Sequence, residues 1–260
     1  MSDELTAPID HLLSIMRQLR DPQSGCEWDR EQTFGTIAPY TIEEAYEVAE
    51  AIERKNILAL KSELGDLLLQ VVFHSRIAEE AGQFDFNDVA TEIVKKLKNR
   101  HPHIFGNEQG SEEPQKERWE RLKAAERNAE GATSALDGVA IALPALLRAE
   151  KLQKRAARTG FDWPDITGPL AKLAEELEEL ANAETNEERL MEAGDVLFAA
   201  VNIVRRYGIA PEDALRTANR KFDSRFRQME QIAKGQGEDI DALPLDRQEA
   251  YWQAAKTSEG

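Results

Sequence analysis

Apolar residues recur along most of this chain at intervals of three and four, the period of a helix with one buried face. Ile9, Leu12, Leu13, Met16 and Leu19 keep that spacing until Asp21-Pro22 ends the run. The following loop contains Gly25-Cys26-Glu27-Trp28-Asp29. Thr41 is the expected N-cap of the next helix, with Glu44 three residues on completing a capping box. Leu60, Leu64, Leu67, Leu68, Val71 and Val72 mark a further helix over roughly 57–81, stopped by Gly82. Residues 87–100 form another amphipathic segment ending at His101-Pro102. Beyond it, 106–114 is polar and reads as mobile, and 115–130 reads as a highly charged helix carrying Trp119 and Lys123.

The pattern then starts again. Gly131-Ala132-Thr133-Ser134 is small and polar, which places a linker there and divides the chain into helical domains at 1–130 and 131–260. Leu146-Leu147 opens a helix reaching Thr159, and Gly160-Phe161-Asp162-Trp163 takes the place of the Trp28 loop. Glu43-Glu44-Ala45-Tyr46-Glu47 followed by Glu63-Leu64-Gly65-Asp66 is matched by Glu175-Glu176-Leu177-Glu178-Glu179 followed by Glu192-Ala193-Gly194-Asp195. Pro211 starts a helix bearing Lys221 and Arg225, whose first-half counterparts are Lys96 and Arg100. Trp252 and Lys256 repeat Trp119 and Lys123. Features recurring in one order describe a duplicated helical unit.

Composition agrees with an all-α fold: Ala, Leu, Glu, Lys and Arg dominate the 260 residues. A net charge of -16 argues against a generic nucleic-acid or anionic-membrane binder, but leaves room for a nucleotide held through metal ions. The single cysteine, Cys26, excludes a disulfide framework or a cysteine zinc site within the chain. No apolar stretch approaches membrane-spanning length and no basic leader precedes one, so the cytoplasm is the expected compartment.

Taken alone, Glu-Glu-x-x-Glu describes a solvated face in a chain with 49 acidic residues. Its pairing with Glu-x-x-Asp, found twice, changes the reading. The midpoints between Glu47 and Glu63 and between Glu179 and Glu192 fall at Lys55-Asn56 and Thr185-Asn186, polar positions suited to a helix-helix turn. A turn there puts both clusters roughly 10 to 12 Å from it, at about 1.5 Å per residue. Carboxylates converging at one level repel each other unless a cation joins them. Oxygen ligands alone suit Mg²⁺ or Mn²⁺. A di-iron bundle would need Glu-x-x-His, and none of His11, His74, His101 or His103 has Glu three residues before it.

Lys221 and Arg225 share a helical face, as do Lys96 and Arg100; beside a metal-loaded acidic cluster they suit a polyphosphate. Lys172, three residues before Glu175, is placed to join them, whereas Tyr40 holds its first-half position. Trp28, Trp119, Trp163 and Trp252 occupy repeated positions, with core packing as the default reading and a nucleobase shelf as the functional one. His101-Pro102-His103 reads as a structural cap and His74 as a satisfied interior histidine. Neither a P-loop nor a dinucleotide fingerprint appears.

The combination of Glu-Glu-x-x-Glu, Glu-x-x-Asp, Asn219-x-Lys221-Phe222-x-x-Arg225-Phe226 and Trp252-x-x-x-Lys256 resembles the MazG family of nucleoside triphosphate pyrophosphohydrolases. So do the stretches from Thr36 to Glu47 and from Arg100 to Gly106. The resemblance implies two tandem all-α domains with four-helix-bundle-like packing, completed by a homodimer. It also implies Mg²⁺-dependent hydrolysis of NTP, ATP among them, to NMP and pyrophosphate. Carried onto this chain, Glu175, Glu176, Glu179, Glu192 and Asp195 would hold metal, with Glu43, Glu44, Glu47, Glu63 and Asp66 as first-half equivalents. Glu175, Glu176, Glu179, Lys221 and Arg225 would form the catalytic set; Lys172, Lys221, Arg225, Trp252 and Lys256 would contact substrate, with Lys96, Arg100, Trp119 and Lys123 as weaker counterparts. Two departures stand out: Glu27 lies between Cys26 and Trp28 where family members carry Pro, and Leu97 and Val94 replace the motif's Phe and Asn. The second half is therefore expected to be the main catalytic domain. A nucleotide-binding regulator without turnover is the competing reading.

Overall fold

Helix caps set the frame. In the computed structural model, which describes residues 7–106, 114–129 and 131–258, the described residues form α-helices and one short 3₁₀ turn, with no strand among them. They divide into two compact units, Met1–Leu122 and Lys123–Gly260.

The first unit contains α1 (Pro8–Leu19), α2 (Glu27–Glu31), α3 (Phe34–Glu53), α4 (Ile57–Glu80), α5 (Phe86–Arg100) and the single turn α6 (Pro102–Phe105). Helix α7 (Gln115–Ala129) crosses the division between units. α3 and α4 pack along each other as a hairpin. The chain reverses at Lys55, which takes a positive φ of 52°, and the Asn56 side chain accepts the Ala59 amide at 3.1 Å to cap α4. The expected turn position is therefore the observed one.

The start of α3 differs from expectation. Thr33, not Thr41, is its N-cap, exchanging hydrogen bonds with Thr36, and Trp28 lies in the short helix α2 instead of a loop. Thr41 sits inside α3, its hydroxyl 3.4 Å from the Ile37 carbonyl and 3.1 Å from His74 Nε2. Pro39 within α3 removes only one backbone bond of the ladder, and the helix passes through it because Ile37, 1% exposed, is locked into the core. That core joins Met16, Ile37, Val72 and Phe73 from α1, α3 and α4. Arg20, at the end of α1, donates to Glu80 of α4 at 2.8 Å and clamps the two helices.

The second unit contains α8 (Ala145–Arg158), α9 (Thr167–Asn182), α10 (Asn186–Arg206), α11 (Pro211–Gly235), a 3₁₀ turn (Ile240–Ala242) and α12 (Leu245–Ser258). α9 and α10 repeat the hairpin, with Thr185 capping α10 through a reciprocal box with Glu188 (3.0 and 3.1 Å). α11 packs on α12 around Met229, Ala233, Tyr251 and Ala255. The hairpin helices leave apolar side chains uncovered, among them Leu58 (84% exposed), Leu190 (76%) and Leu197 (59%). No helix of the described residues is long and apolar enough to cross a membrane.

Candidate functional site

Because Glu176 and Glu179 stand almost one turn apart on α9, and Glu192 follows on the returning α10, the hairpin brings these carboxylates together. One oxygen from each lies within 4.8 Å of the others. Glu176 is only 5% exposed. One turn earlier on α9, Lys172 Nζ sits 2.7 Å from both Glu175 and Glu176, and bonds to these two carboxylates raise its pKa above the ordinary lysine value. Glu175 thus turns towards Lys172, while Asp195 borders the neighbouring cleft beside Glu176. Burial, then the charge of Glu176, pushes the Glu179 carboxyl up.

The first unit builds the equivalent group from Glu44 on α3 and Glu63 and Asp66 on α4. Glu43 and Glu47 flank it. Burial, followed by the charges of Asp66, Glu47, Glu43 and Glu63, raises the Glu44 pKa; burial and then Glu47 raise that of Glu63. Tyr40 stands where α9 has Lys172, and Gln70 reaches Glu44 at 3.5 Å instead. Both groups offer oxygen alone at short mutual range, a donor set that fits Mg²⁺ or Mn²⁺.

The other sequence candidates occupy different elements. Lys221 and Arg225 share a face of α11, and Trp252 and Lys256 lie on α12. Phe222 packs against Trp252 (5.4 Å) and Phe226 (5.9 Å), which holds the two helices in register. None of these four candidates lines the cleft beside Glu176. In the first unit Lys96 pairs with Glu92 at 3.5 Å, and the Trp119 ring is covered by His101 (5.0 Å) and Arg100 (5.3 Å). Lys123 lies on α7. The histidines behave structurally: His101 Nδ1 meets the Leu97 carbonyl at 2.8 Å, His103 Nδ1 accepts from Arg118 at 2.7 Å, and His74 pairs with Thr41, with burial lowering its pKa.

Beside the second acidic group, α8, α9 and α10 enclose a cleft of about 390 Å³ running from Lys172, Glu176 and Asp195 to Phe161, Trp163 and Asn202. Its far wall is pinned by ion pairing. Arg205 donates to both oxygens of Asp162 at 3.1 and 2.8 Å, and these bonds hold the Asp162 carboxyl below the usual carboxylate range. Gln153 locks the arrangement by accepting from Arg205 Nε at 3.1 Å and donating to the Phe198 carbonyl at 2.8 Å. Trp163 lies so close to Gly168 that a Cβ there would stand 1.9 Å from the indole Cδ1.

A family model described as the MazG nucleotide pyrophosphohydrolase domain matches residues 32–105, which include the first acidic group. A nucleoside triphosphate pyrophosphohydrolase of Escherichia coli K12 is 47% identical over 259 residues, covering 96% of this chain and 98% of its own. The chain belongs to the MazG family. A Thermotoga maritima protein named nucleoside triphosphate pyrophosphohydrolase/pyrophosphatase MazG is 44% identical over 247 residues, covering 95% of each. A nucleoside triphosphate pyrophosphohydrolase of Mycolicibacterium smegmatis is 31% identical over 264 residues, covering 96% of this chain and 72% of its own.

Within this MazG chain the motif residues Glu176, Glu179 and Glu192 meet, while Asp162, Gly168 and Asn202 had drawn no functional reading from the sequence. A signal for two of them was present. Gly168 precedes Pro169 at a helix start, and Asn202 follows Asp195 by seven residues where the repeat has Phe73 after Asp66.

Proposed function

We propose that the protein hydrolyses nucleoside triphosphates to nucleoside monophosphate and pyrophosphate, with water attacking the α-phosphorus and the second unit as the main catalytic centre. The observation that carries this reading is the convergence of Glu176, Glu179 and Glu192 beside Lys172. Relatives that match nearly the whole chain bear the same activity in their names.

Glu176, Glu179 and Glu192, with Glu175 and Asp195 beside them, would hold Mg²⁺, or Mn²⁺ in its place. A bound divalent ion there supplies charge neutralisation for the triphosphate and lowers the pKa of water. Lys172 already carries a full positive charge and is tethered to Glu175 and Glu176, so it meets the phosphates without a protonation step. One carboxylate of the set Glu175, Glu176 and Glu179 would orient the attacking water and receive its proton. Lys221 and Arg225 of α11 offset the charge of the departing pyrophosphate, Arg225 by paired N–H bonds and Lys221 as a point charge. The uncovered apolar side chains of the hairpins support a homodimer in which each copy covers the other's helices.

Incubation with each NTP and Mg²⁺ should release NMP and pyrophosphate, and reaction in ¹⁸O water should place the label in the NMP. Release of NDP and orthophosphate overturns the reading, and nucleotide binding without turnover favours a regulator. Glu176→Ala should lower kcat by at least about 100-fold and Glu44→Ala by much less, because Tyr40 takes the place of Lys172 in the first unit.

A further inference from the structure

Where α7 gives way to the turn at 131–138, on the second unit's side of the division, a pocket of about 330 Å³ lies against the last turn of α8. Its lining carries Arg127, Arg155 and Arg158, the hydroxyl-bearing Thr133, Ser134 and Thr159, and otherwise only alanines. Among the described residues no carboxylate lines it, in a chain where acidic residues outnumber basic ones 49 to 33. The composition favours acid at any such patch, so the reversal needs a physical cause.

Helix ends account for part of it. Arg127 stands in the last turn of α7, and Arg155 and Arg158 in the last turn of α8, where the partial negative charge of a C-terminus favours a cation. Each C-terminus supplies only about half a charge, so the two ends and Asp137, the carboxylate bonded into the turn, offset about two of the three guanidiniums. Asp137 is also spoken for: its Oδ2 accepts the Thr133 and Ser134 amides at 2.7 and 2.9 Å, and these bonds, that of Ser134 foremost, hold its carboxyl below the usual carboxylate range. Arg155 ties α8 to the same turn, donating to the Ala135 and Asp137 carbonyls at 3.2 and 3.1 Å. Gly138, at a φ of 78°, passes so close to Arg127 that an added Cβ would stand 3.3 Å from its Cδ. Arg127 is itself partly buried and engages no carboxylate among the described residues. Ser134 Oγ accepts the Leu136 amide at 3.2 Å, which leaves its own O–H to donate.

A ligand matching this pocket is compact, anionic and rich in oxygen. Guanidiniums hold phosphate oxygens through paired N–H bonds, and hydroxyls add single ones. The lining contains no aromatic ring, so a nucleobase finds no shelf there. We propose that the pocket between the ends of α7 and α8 is an anion site outside the acidic groups, taking an inorganic oxyanion of the phosphate class, pyrophosphate in preference to orthophosphate, through Arg127, Arg155 and Arg158. Charge selects between the two, because each added negative charge on the ligand is attracted by all three guanidiniums at once. A nucleotide brings the same phosphate chemistry with a base that gains nothing.

Calorimetry on the full-length protein in EDTA at low ionic strength tests the inference, since carboxylates without a cation repel anions and leave the arginine pocket to be read. Inorganic pyrophosphate should bind at a single site per chain, at least about fivefold more tightly than orthophosphate, and AMP no more tightly than orthophosphate. Arg127→Gln should weaken pyrophosphate binding about tenfold. Arg158→Gln changes an exposed residue and leaves the bonds of the turn in place, so it keeps the test valid should Arg127→Gln lower the melting temperature; it should weaken binding about threefold or more. Arg189→Gln removes the same charge from the opening turn of α10 and should leave the affinity within about twofold. The proposal is overturned by absence of pyrophosphate binding to the wild type, by binding that survives both pocket substitutions, by an equal loss with Arg189→Gln, or by AMP binding more tightly than pyrophosphate. The result is independent of the hydrolysis reading, because neither metal nor turnover enters the measurement.

Discussion

Asp162→Ala tests whether the ion pair behind the cleft shapes the site as well as holding the unit together. The Arg205 side chain is 7% exposed and that of Asp162 is 18% exposed, and the pair is joined by two short hydrogen bonds with Arg206 adding a third at 3.4 Å. Removing one partner of a fully buried pair costs about 3–5 kcal/mol, because the other charge is left uncompensated. Here Asp162 borders solvent and Arg205 keeps its bond to Gln153, so the expected loss is about 2–3 kcal/mol. With a urea slope of about 2 kcal/mol/M, the second-unit transition should move down by roughly 1 M. Asp162→Asn keeps an acceptor and should lose less. The pH dependence follows from the lowered Asp162 pKa: its contribution is full above the unfolded value of about 3.9 and is lost as pH falls through the folded value. The gap between wild type and Asp162→Asn should therefore hold from pH 5 to 8 and close below about pH 4. In NTP hydrolysis, releasing the Phe161–Trp163 wall should raise KM about five- to tenfold with kcat within about twofold, since the acidic group is untouched. A midpoint shift below about 0.2 M together with an unchanged KM would refute the assigned role.

Two further outcomes follow from the same geometry. Glu179→Gln removes one member of a self-repelling group, so in EDTA at pH 7 its melting temperature should exceed that of wild type, while the rise produced by saturating Mg²⁺ should shrink; a lower melting temperature in EDTA contradicts the repulsion. The sign agrees with the raised Glu179 pKa, which makes the metal-free cluster less favourable as pH climbs through that value. Gly168→Ala should displace Trp163, lowering stability by about 1–3 kcal/mol and shifting tryptophan emission to longer wavelength, and an unchanged spectrum would show that the indole does not rest on that helix start.

Much of the architecture was written in short-range pattern. Helix periodicity located the hairpins, and Lys55-Asn56 and Thr185-Asn186 marked their turns, because cap and turn chemistry is decided by a few neighbouring residues. Within a hairpin the register follows from loop position and helical rise, so the sequence brings the acidic stretches of α9 and α10 to one level; that Glu176, Glu179 and Glu192 meet, with Glu175 turned to Lys172 and Asp195 at the cleft, depends on side-chain placement. The expected cap at Thr41 gives way to Thr33 because the continuity of α3 through Pro39 depends on Ile37 reaching the core built with Met16 and Val72, residues distant along the chain. The same separation hid the difference between the units. The repeat aligns Phe73 with Asn202 and Tyr40 with Lys172, yet only packing reveals that one pair closes a cleft around Trp28 while the other leaves one open beside Trp163. What the sequence determined by itself was the acidic chemistry and the depth at which it converges, because both are local to a hairpin. Tertiary structure decided which of the two corresponding clefts stays open, because free volume is set by side chains from three helices at once.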